Sequence, residues 1–367
     1  MNIKKIKVYQ VDLPLLEGRY AWADGKFVDV FDSTIVEIET KDGLIGVGEV
    51  CPLGPFYLPA FGLGARAGIK EIAQHLIGQD PSQIERIGLT MDRALLGHPY
   101  VKSAIDIACW DLLGQQTGRP IWQLLGGKFG NAIELYRAIS QSSPESMAAN
   151  VMMYKSQGYR KFQLKVGGAV TDDIERIRAV ADVLEGGDTL VADANTGWLS
   201  SEAIRVANAI SDLDVFIEQP CASYENCLSV RERISLPFIL DENIDGLEML
   251  LRAHSDRAMD AINLKISKVG GLTRARKIRD VCVHLGIPMT IEDSWGGDIV
   301  TSTIAHLAHS TPERFRFSAT DFNSYVSVSN ASGAPSRAEG AMSASDEPGL
   351  GVSLNRDEVG DPVAVYE

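Results

Sequence analysis

AINLKISKVGG, residues 261–271, begins as a buried strand, with Ala261, Ile262 and Leu264 among its first four residues. It then reaches Lys265, a side chain rarely buried without a partner. KFQLKVGG, residues 161–168, has the same form about a hundred residues earlier, with Lys165 just before a glycine turn. The segments between and after them supply a common cause. TLVADAN (189–195), DVFIEQ (214–219), PFILDE (237–242) and PMTIEDS (288–294) are short apolar runs. Helical patterns such as TDDIERIRAVADVL (171–184), SSEAIRVANAIS (200–211), GLEMLLRAH (246–254), TRARKIRDVCVHLG (273–286) and IVTSTIAHLAHS (299–310) alternate with them. Strand and helix in strict alternation make a parallel sheet. So many units in one domain favour a closed, TIM-type β/α barrel over an open doubly wound sheet.

The residues that end these strands are Lys165, Asp193, Glu218, Asp241, Lys265 and the pair Glu292 and Asp293, at intervals of about 23 to 28 residues. That interval is one βα unit, and the C-terminal ends of barrel strands open onto one mouth. Three carboxylates converging there, Asp193, Glu218 and Asp241, repel unless a cation neutralises them. Oxygen ligands without His or Cys favour Mg²⁺ over zinc. Lys165 and Lys265 flank the acidic trio and face each other across an eight-stranded ring. Such a pair suits removal of the proton from carbon next to a carboxylate, with the metal stabilising the enediolate and the lysines on opposite faces. A cation nearby would also lower a lysine's preference for its protonated form. Taken singly, an Asp after a strand is commonly a helix cap and a strand-end Lys a snorkelling side chain. The joint order Lys, Asp, Glu, Asp, Lys at the period of the fold is not explained by chance capping.

Upstream, residues 3–12, 33–40 and 44–50 alternate apolar and polar, with a KDG turn joining the last two, and read as an antiparallel meander. Residues 64–117 turn helical. In SAIDIACWDLLGQQTG, Ile105, Ala108, Cys109, Leu112 and Leu113 share one face and Gly118 closes the helix. The expected organisation is an α+β domain over 1–127, the barrel over 128–320, and a segment over 321–367 that returns to the first domain. The Ser-, Ala- and Gly-rich part of that segment reads as a surface excursion.

At 367 residues with 45% hydrophobic and 23% charged content, the chain is an ordinary globular protein with ample core material. A net charge of −14 argues against nucleic acid or an anionic membrane as partner. The N-terminal residues carry no signal-peptide pattern, so a cytoplasmic protein is expected. Five scattered cysteines without a CxxC pair indicate neither a disulfide framework nor a zinc site. Large barrels commonly assemble, so a homo-oligomer is the expectation. His284 and His306 lie in helical patterns and read as structural, Trp110 and Trp122 as core. Asn195 serves either to orient Asp193 or a substrate oxygen, or as turn chemistry. Trp295 either lines the pocket or packs.

LVADANTGW (190–198), FIEQP (216–220), ILDEN (239–243), NLKISKVGGLTRA (263–275), QLKVGG (163–168) and AIDIACWDLLGQQTGRPIWQLLGG (104–127) together resemble the muconate lactonizing enzyme subgroup of the enolase superfamily. The resemblance covers essentially the whole chain. It implies an enolase-like barrel with a capping domain, Asp193, Glu218 and Asp241 as Mg²⁺ ligands, and Lys165 and Lys265 as the acid/base pair, the general pattern of that superfamily. It also implies that LLEGRYAWADGKF (15–27) and CPLGPFYLPAFG (51–62) close over the substrate. One departure is Gln163, where the subgroup usually carries a lysine. CPLGPFYLPAFGLGARAGI (51–69) and EDSWGGDIV (292–300) look most like enzymes of proline derivatives, the hydroxyproline betaine 2-epimerases and cis-3-hydroxyproline dehydratases. By that similarity Tyr57, Asp293 and Phe322 would hold the ring and its ammonium. Cation over an aromatic face contributes about 1 to 2 kcal/mol when desolvated.

The expectation is therefore a Mg²⁺-dependent racemase or epimerase acting on a small carboxylate, a proline-like or N-substituted amino acid. A dehydratase using the same lysine pair is the nearest alternative. Muconate-type cycloisomerisation is disfavoured by Glu292 and Asp293, and a non-catalytic barrel would leave the strand-end charges without a purpose.

Overall fold

Period-two alternation builds the first layer. In the computed structural model, which describes residues 1–367, strands β1 (Ile3–Pro14), β2 (Val30–Thr40) and β3 (Ile45–Val50) form an antiparallel sheet, each pairing with the next. Helices α1 (Gly62–Ala73), α2 (Ile84–Ala94) and α3 (Pro99–Thr117) follow. Gly46 and Gly48, on one face of β3, let α3 lie directly on the sheet. A Cβ on Gly48 would come within 1.9 Å of the Ala104 carbonyl oxygen. Gly118, at φ 64°, closes the helix as its sequence position implies.

The single apolar face expected for α3 is not what the structure has. The helix is buried almost all round, including Lys102, Asp106 and Asp111, because it is sandwiched between the cap sheet and the barrel. Its acidic residues satisfy backbone donors of the other layers. Asp106 accepts from the Thr273 N–H at 2.9 Å, and Asp111 accepts from the N–H groups of Val47 at 3.0 Å and Leu350 at 2.8 Å.

The second layer is a ring of eight parallel strands. They are β4 (Tyr136–Ile139), β5 (Lys161–Lys165), β6 (Thr189–Asp193), β7 (Phe216–Glu218), β8 (Phe238–Leu240), β9 (Ala261–Lys265), β10 (Met289–Glu292) and β11 (Arg316–Ala319), hydrogen-bonded in that order. A parallel bridge from Leu135 to Ala319 closes the ring. Seven crossovers carry helices α4 (Pro144–Lys155), α5 (Val170–Ala181), α6 (Ser200–Ala209), α7 (Tyr224–Arg231), α8 (Leu247–Ser255), α9 (Leu272–Leu285) and α10 (Asp298–His309). The register sets the strand ends level: Lys165 lies beside Asp193, Asp193 beside Glu218, and Lys265 beside Glu292. One continuous apolar core joins cap and barrel.

Beyond β11 the chain runs back across the molecule until Ala364–Tyr366 pairs antiparallel with β1 at the edge of the cap sheet. Part of this stretch is not the surface excursion its composition suggests. Asn330, Ala331, Met342, Ala344 and Leu350 are buried. Small residues permit that approach: a Cβ on Gly349, at φ 75°, would meet the Asp111 carboxylate at 2.1 Å. All five cysteines are free and buried, and no helix is long and apolar enough to cross a membrane.

Candidate active site

The strand-end charges meet at one mouth. Lys165 forms an ion pair with Asp193, and Lys265 with Asp241. Lys265 also lies 3.0 Å from Glu292 Oε1. Lys268, on the turn after β9, donates to Asp241 Oδ1 at 2.9 Å and to the Asp241 carbonyl. Glu218 makes no ion pair, and accepts instead from Gln163 and Asn263. Asp193 is further held by the Asn195 N–H at 2.8 Å, and the Gln219 side-chain oxygen receives the Asp241 N–H at 2.9 Å. All of these carboxylates and lysines are buried.

Burial and neighbouring charge compete over the protons. At Lys165 burial is the largest single influence and works to lower the pKa, but Asp193, Tyr20 and Glu218 together outweigh it and the ammonium is held above the usual lysine range. Lys265 is likewise raised, against burial, by Asp241 and Glu292. At Glu218 burial, then the charges of Asp193 and Asp241, push the carboxyl well up. Burial pushes Asp293 up to about 6.

Six carboxyl groups (Asp193, Glu218, Asp241, Glu242, Glu292, Asp293) thus crowd around three ammonium groups (Lys165, Lys265, Lys268), and Glu218 makes no direct ion pair with any of them. Asp193, Glu218 and Asp241 offer oxygen atoms only, the donor chemistry that suits a hard divalent cation, and are the residues that could hold one.

Tyr57, Asn195, Asp293, Trp295 and Phe322, singled out from the sequence as candidate substrate contacts, all line the pocket at this mouth. Tyr57 comes down from the cap loop, and its hydroxyl sits 2.9 Å from Lys265 Nζ while donating to Asp241 Oδ2 at 3.1 Å. Asn195, at φ 40°, turns its side-chain amide toward Glu242 at 3.1 Å, so only its backbone touches Asp193. Asp293 has both oxygens engaged, by the N–H and hydroxyl of Ser267 and by the Ser294 N–H. Trp295 does both things open to it. It stacks on Phe31 with ring centroids 4.2 Å apart, and with Phe322 at 4.8 Å it lines the pocket.

The sequence reading missed Tyr20, Leu53 and Tyr136, which also line the pocket, and the contacts of Asn263 and Lys268. Tyr136 hydrogen-bonds Glu292 from β4, a strand whose apolar run is broken by Arg137. Asn263 carried one readable signal, its place two residues before Lys265 on the same strand face.

Beneath the cap loops the free space between these side chains is about 20 Å³, room for about one water molecule. A larger hollow of about 590 Å³ lies between the β2–β3 turn and residues 347–356, and none of the strand-end charges faces it.

Residues 146–359 match the model of the enolase C-terminal domain-like family. Residues 28–126 match that of the mandelate racemase/muconate lactonizing enzyme N-terminal domain. The chain is 60% identical over 366 residues, 100% of both chains, to a cis-3-hydroxy-L-proline dehydratase of Roseibium aggregatum. It is 29% identical to an N-succinyl-L-Arg/Lys racemase of Bacillus cereus over 84% of this chain and 85% of that one. A crystal structure of a Roseovarius nubinhibens protein of the mandelate racemase/muconate lactonizing type, complexed with magnesium, superposes with TM-score 0.97 at 34% identity and covers 100% of both chains.

Proposed function

The chain belongs to the mandelate racemase/muconate lactonizing enzyme family of the enolase superfamily, and from that premise we propose that it dehydrates a cis-3-hydroxyproline. The observation that carries the proposal is the pair of buried lysines, Lys165 and Lys265, on opposite strands of the ring with the pocket between them. In a cis-3-hydroxy-L-proline the hydroxyl and carboxylate share one face of the ring, so the α-hydrogen lies on the other face. Removal of that hydrogen and departure of the hydroxyl then need a base on one face and an acid on the opposite face. The products are water and 2,3-dehydroproline, which tautomerises to the cyclic imine, so no redox partner is involved. The dehydratase relative supports the same choice.

Asp193, Glu218 and Asp241 would hold Mg²⁺, which would stabilise negative charge developing on the substrate carboxylate. Tyr57 orients Lys265 through its hydroxyl. Trp295 and Phe322 form an apolar wall for the ring, and Asp293 supplies a fixed negative charge near its ammonium.

Deprotonation at Cα is common to dehydration and to the epimerisation expected from the sequence. The racemase relative and the two-faced lysine pair keep epimerisation as the second reading. Proton NMR with Mg²⁺ separates the two. Conversion of cis-3-hydroxy-L-proline to the cyclic imine, with the trans-3 isomer much slower, supports dehydration. Unchanged cis-3-hydroxy-L-proline, with α-proton exchange and inversion of proline or an N-substituted amino acid, overturns it in favour of epimerisation.

A further inference from the structure

Gln163-Leu164-Lys165 on β5 and Asn263-Leu264-Lys265 on β9 repeat one pattern, an amide two residues before a lysine. Side chains alternate along a strand, so amide and lysine point to the same face, one layer apart. In each pair the lysine meets an Asp at the mouth. In the layer beneath, both amides reach a single acceptor. Gln163 Nε2 donates to Glu218 Oε1 at 2.9 Å and to Oε2 at 3.1 Å, and Asn263 Nδ2 donates to Oε1 at 2.7 Å. Glu218 ends β7, which stands midway between β5 and β9 in the ring, so the two donors approach it from opposite sides.

Charge distinguishes this arrangement from that of its neighbours. Asp193 and Asp241 are each ion-paired to lysine, whereas Glu218, 1% exposed, is held only by uncharged donors. Amide hydrogen bonds fix the carboxylate without neutralising it. They load Oε1 with two donors and leave Oε2 with one longer contact. The Asn263 side-chain oxygen has no partner of its own, so the contact with Glu218 is the hydrogen bond that side chain makes.

We propose that Gln163 and Asn263 are positioning residues for a divalent cation: an uncharged two-sided clamp that orients Glu218 without supplying a counter-charge that would compete with the metal. The clamp rests on the reading of Asp193, Glu218 and Asp241 as the metal's ligands. It also gives Gln163 a role of its own, rather than that of a lost lysine. Groups that orient a metal ligand from outside change metal affinity by about 10- to 100-fold when removed.

The test is Mn²⁺ binding, read from the free-ion electron paramagnetic resonance signal. The proteins are EDTA-treated full-length wild type, Gln163→Met and Asn263→Leu, with melting in EDTA to establish that each is folded. The two variants remove the donors from opposite sides, so one that fails to fold leaves the other to decide. The expected result is an Mn²⁺ dissociation constant raised about 10- to 100-fold in the folded variants, with wild-type melting in EDTA. Wild-type affinity in the folded variants overturns the clamp while leaving the metal site standing. Absence of Mn²⁺ binding by the wild type overturns the ligand assignment, and the clamp with it.

Discussion

Replacing His306 by glutamine should make stability less sensitive to acid. His306 lies in α10 without solvent exposure. Its Nδ1 accepts the Trp122 N–H at 3.2 Å, and Nε2 lies 3.1 Å from the Leu350 carbonyl oxygen, so a neutral ring with its proton on Nε2 satisfies both neighbours. Burial, against the bond to Leu350, pushes its pKa from 6.5 down to about 4, and Lys128 and His309 add to the effect against Asp346. The folded pKa is depressed, so the unfolded chain binds more protons between those two values. Stability is therefore full above about pH 6.5 and falls as pH drops toward 4, with a ceiling of about 3.4 kcal/mol at 1.36 kcal/mol per unit. Asp106 and Asp111 run the other way. Burial raises each from 3.8 to about 6, so their contribution is full below the lower value and lost as pH rises through the upper. Comparison with a variant isolates the histidine from these opposing groups. Urea unfolding at pH 7.5 should show His306→Gln less stable than wild type, through lost packing and hydrogen bonding. At pH 4.5 the gap should narrow by about 2.5 kcal/mol. An equal gap at both pH values would mean that burial does not hold this ring neutral.

Three further outcomes follow from the same contacts. Tyr57→Phe keeps the ring but removes a hydroxyl shared between Lys265 and Asp241; hydrogen bonds to charged groups contribute about 1.5 to 3 kcal/mol, so kcat/KM should fall roughly 10- to 100-fold, and a change under twofold in steady-state assays would deny Tyr57 its orienting role. Glu49, on β3 and buried, accepts the N–H groups of Gly297 at 2.9 Å and Val300 at 3.0 Å, so a cap-domain carboxylate closes the N-terminus of barrel helix α10. Glu49→Gln turns an amide donor toward those donors and should cost about 2 kcal/mol in urea unfolding; wild-type stability would remove this link between the domains. Finally, Mg²⁺ at 100 times its dissociation constant should stabilise the EDTA-treated protein by about 2.7 kcal/mol, and a melting temperature unmoved by Mg²⁺ would contradict the site.

The ring of charges was legible in the sequence because a barrel repeats its geometry every βα unit, so Lys165, Asp193, Glu218, Asp241 and Lys265 recur at the period of the fold. What escaped was short or made by three-dimensional closure. Strands β4 and β11 have four residues each, interrupted by Arg137 and opened by Arg316, so neither shows an apolar run. The burial of α3 on all sides follows from a second layer packing over its polar face, which one helix's own periodicity does not encode. Gln163 and Asn263 meet Glu218 only because ring closure brings opposite strands to a common centre. Trp295 was ambiguous between packing and pocket because it is a buried ring with one edge at the cavity.

The most direct test of the two-faced lysine pair follows cis-3-hydroxy-L-proline by NMR in D₂O with Mg²⁺, using wild type, Lys165→Met and Lys265→Met. One variant should lose both α-proton exchange and dehydration. The other should still exchange the α-proton while dehydration falls by about 10² to 10⁴, the usual contribution of an acid or base group. Dehydration at the wild-type rate in either variant would contradict the account.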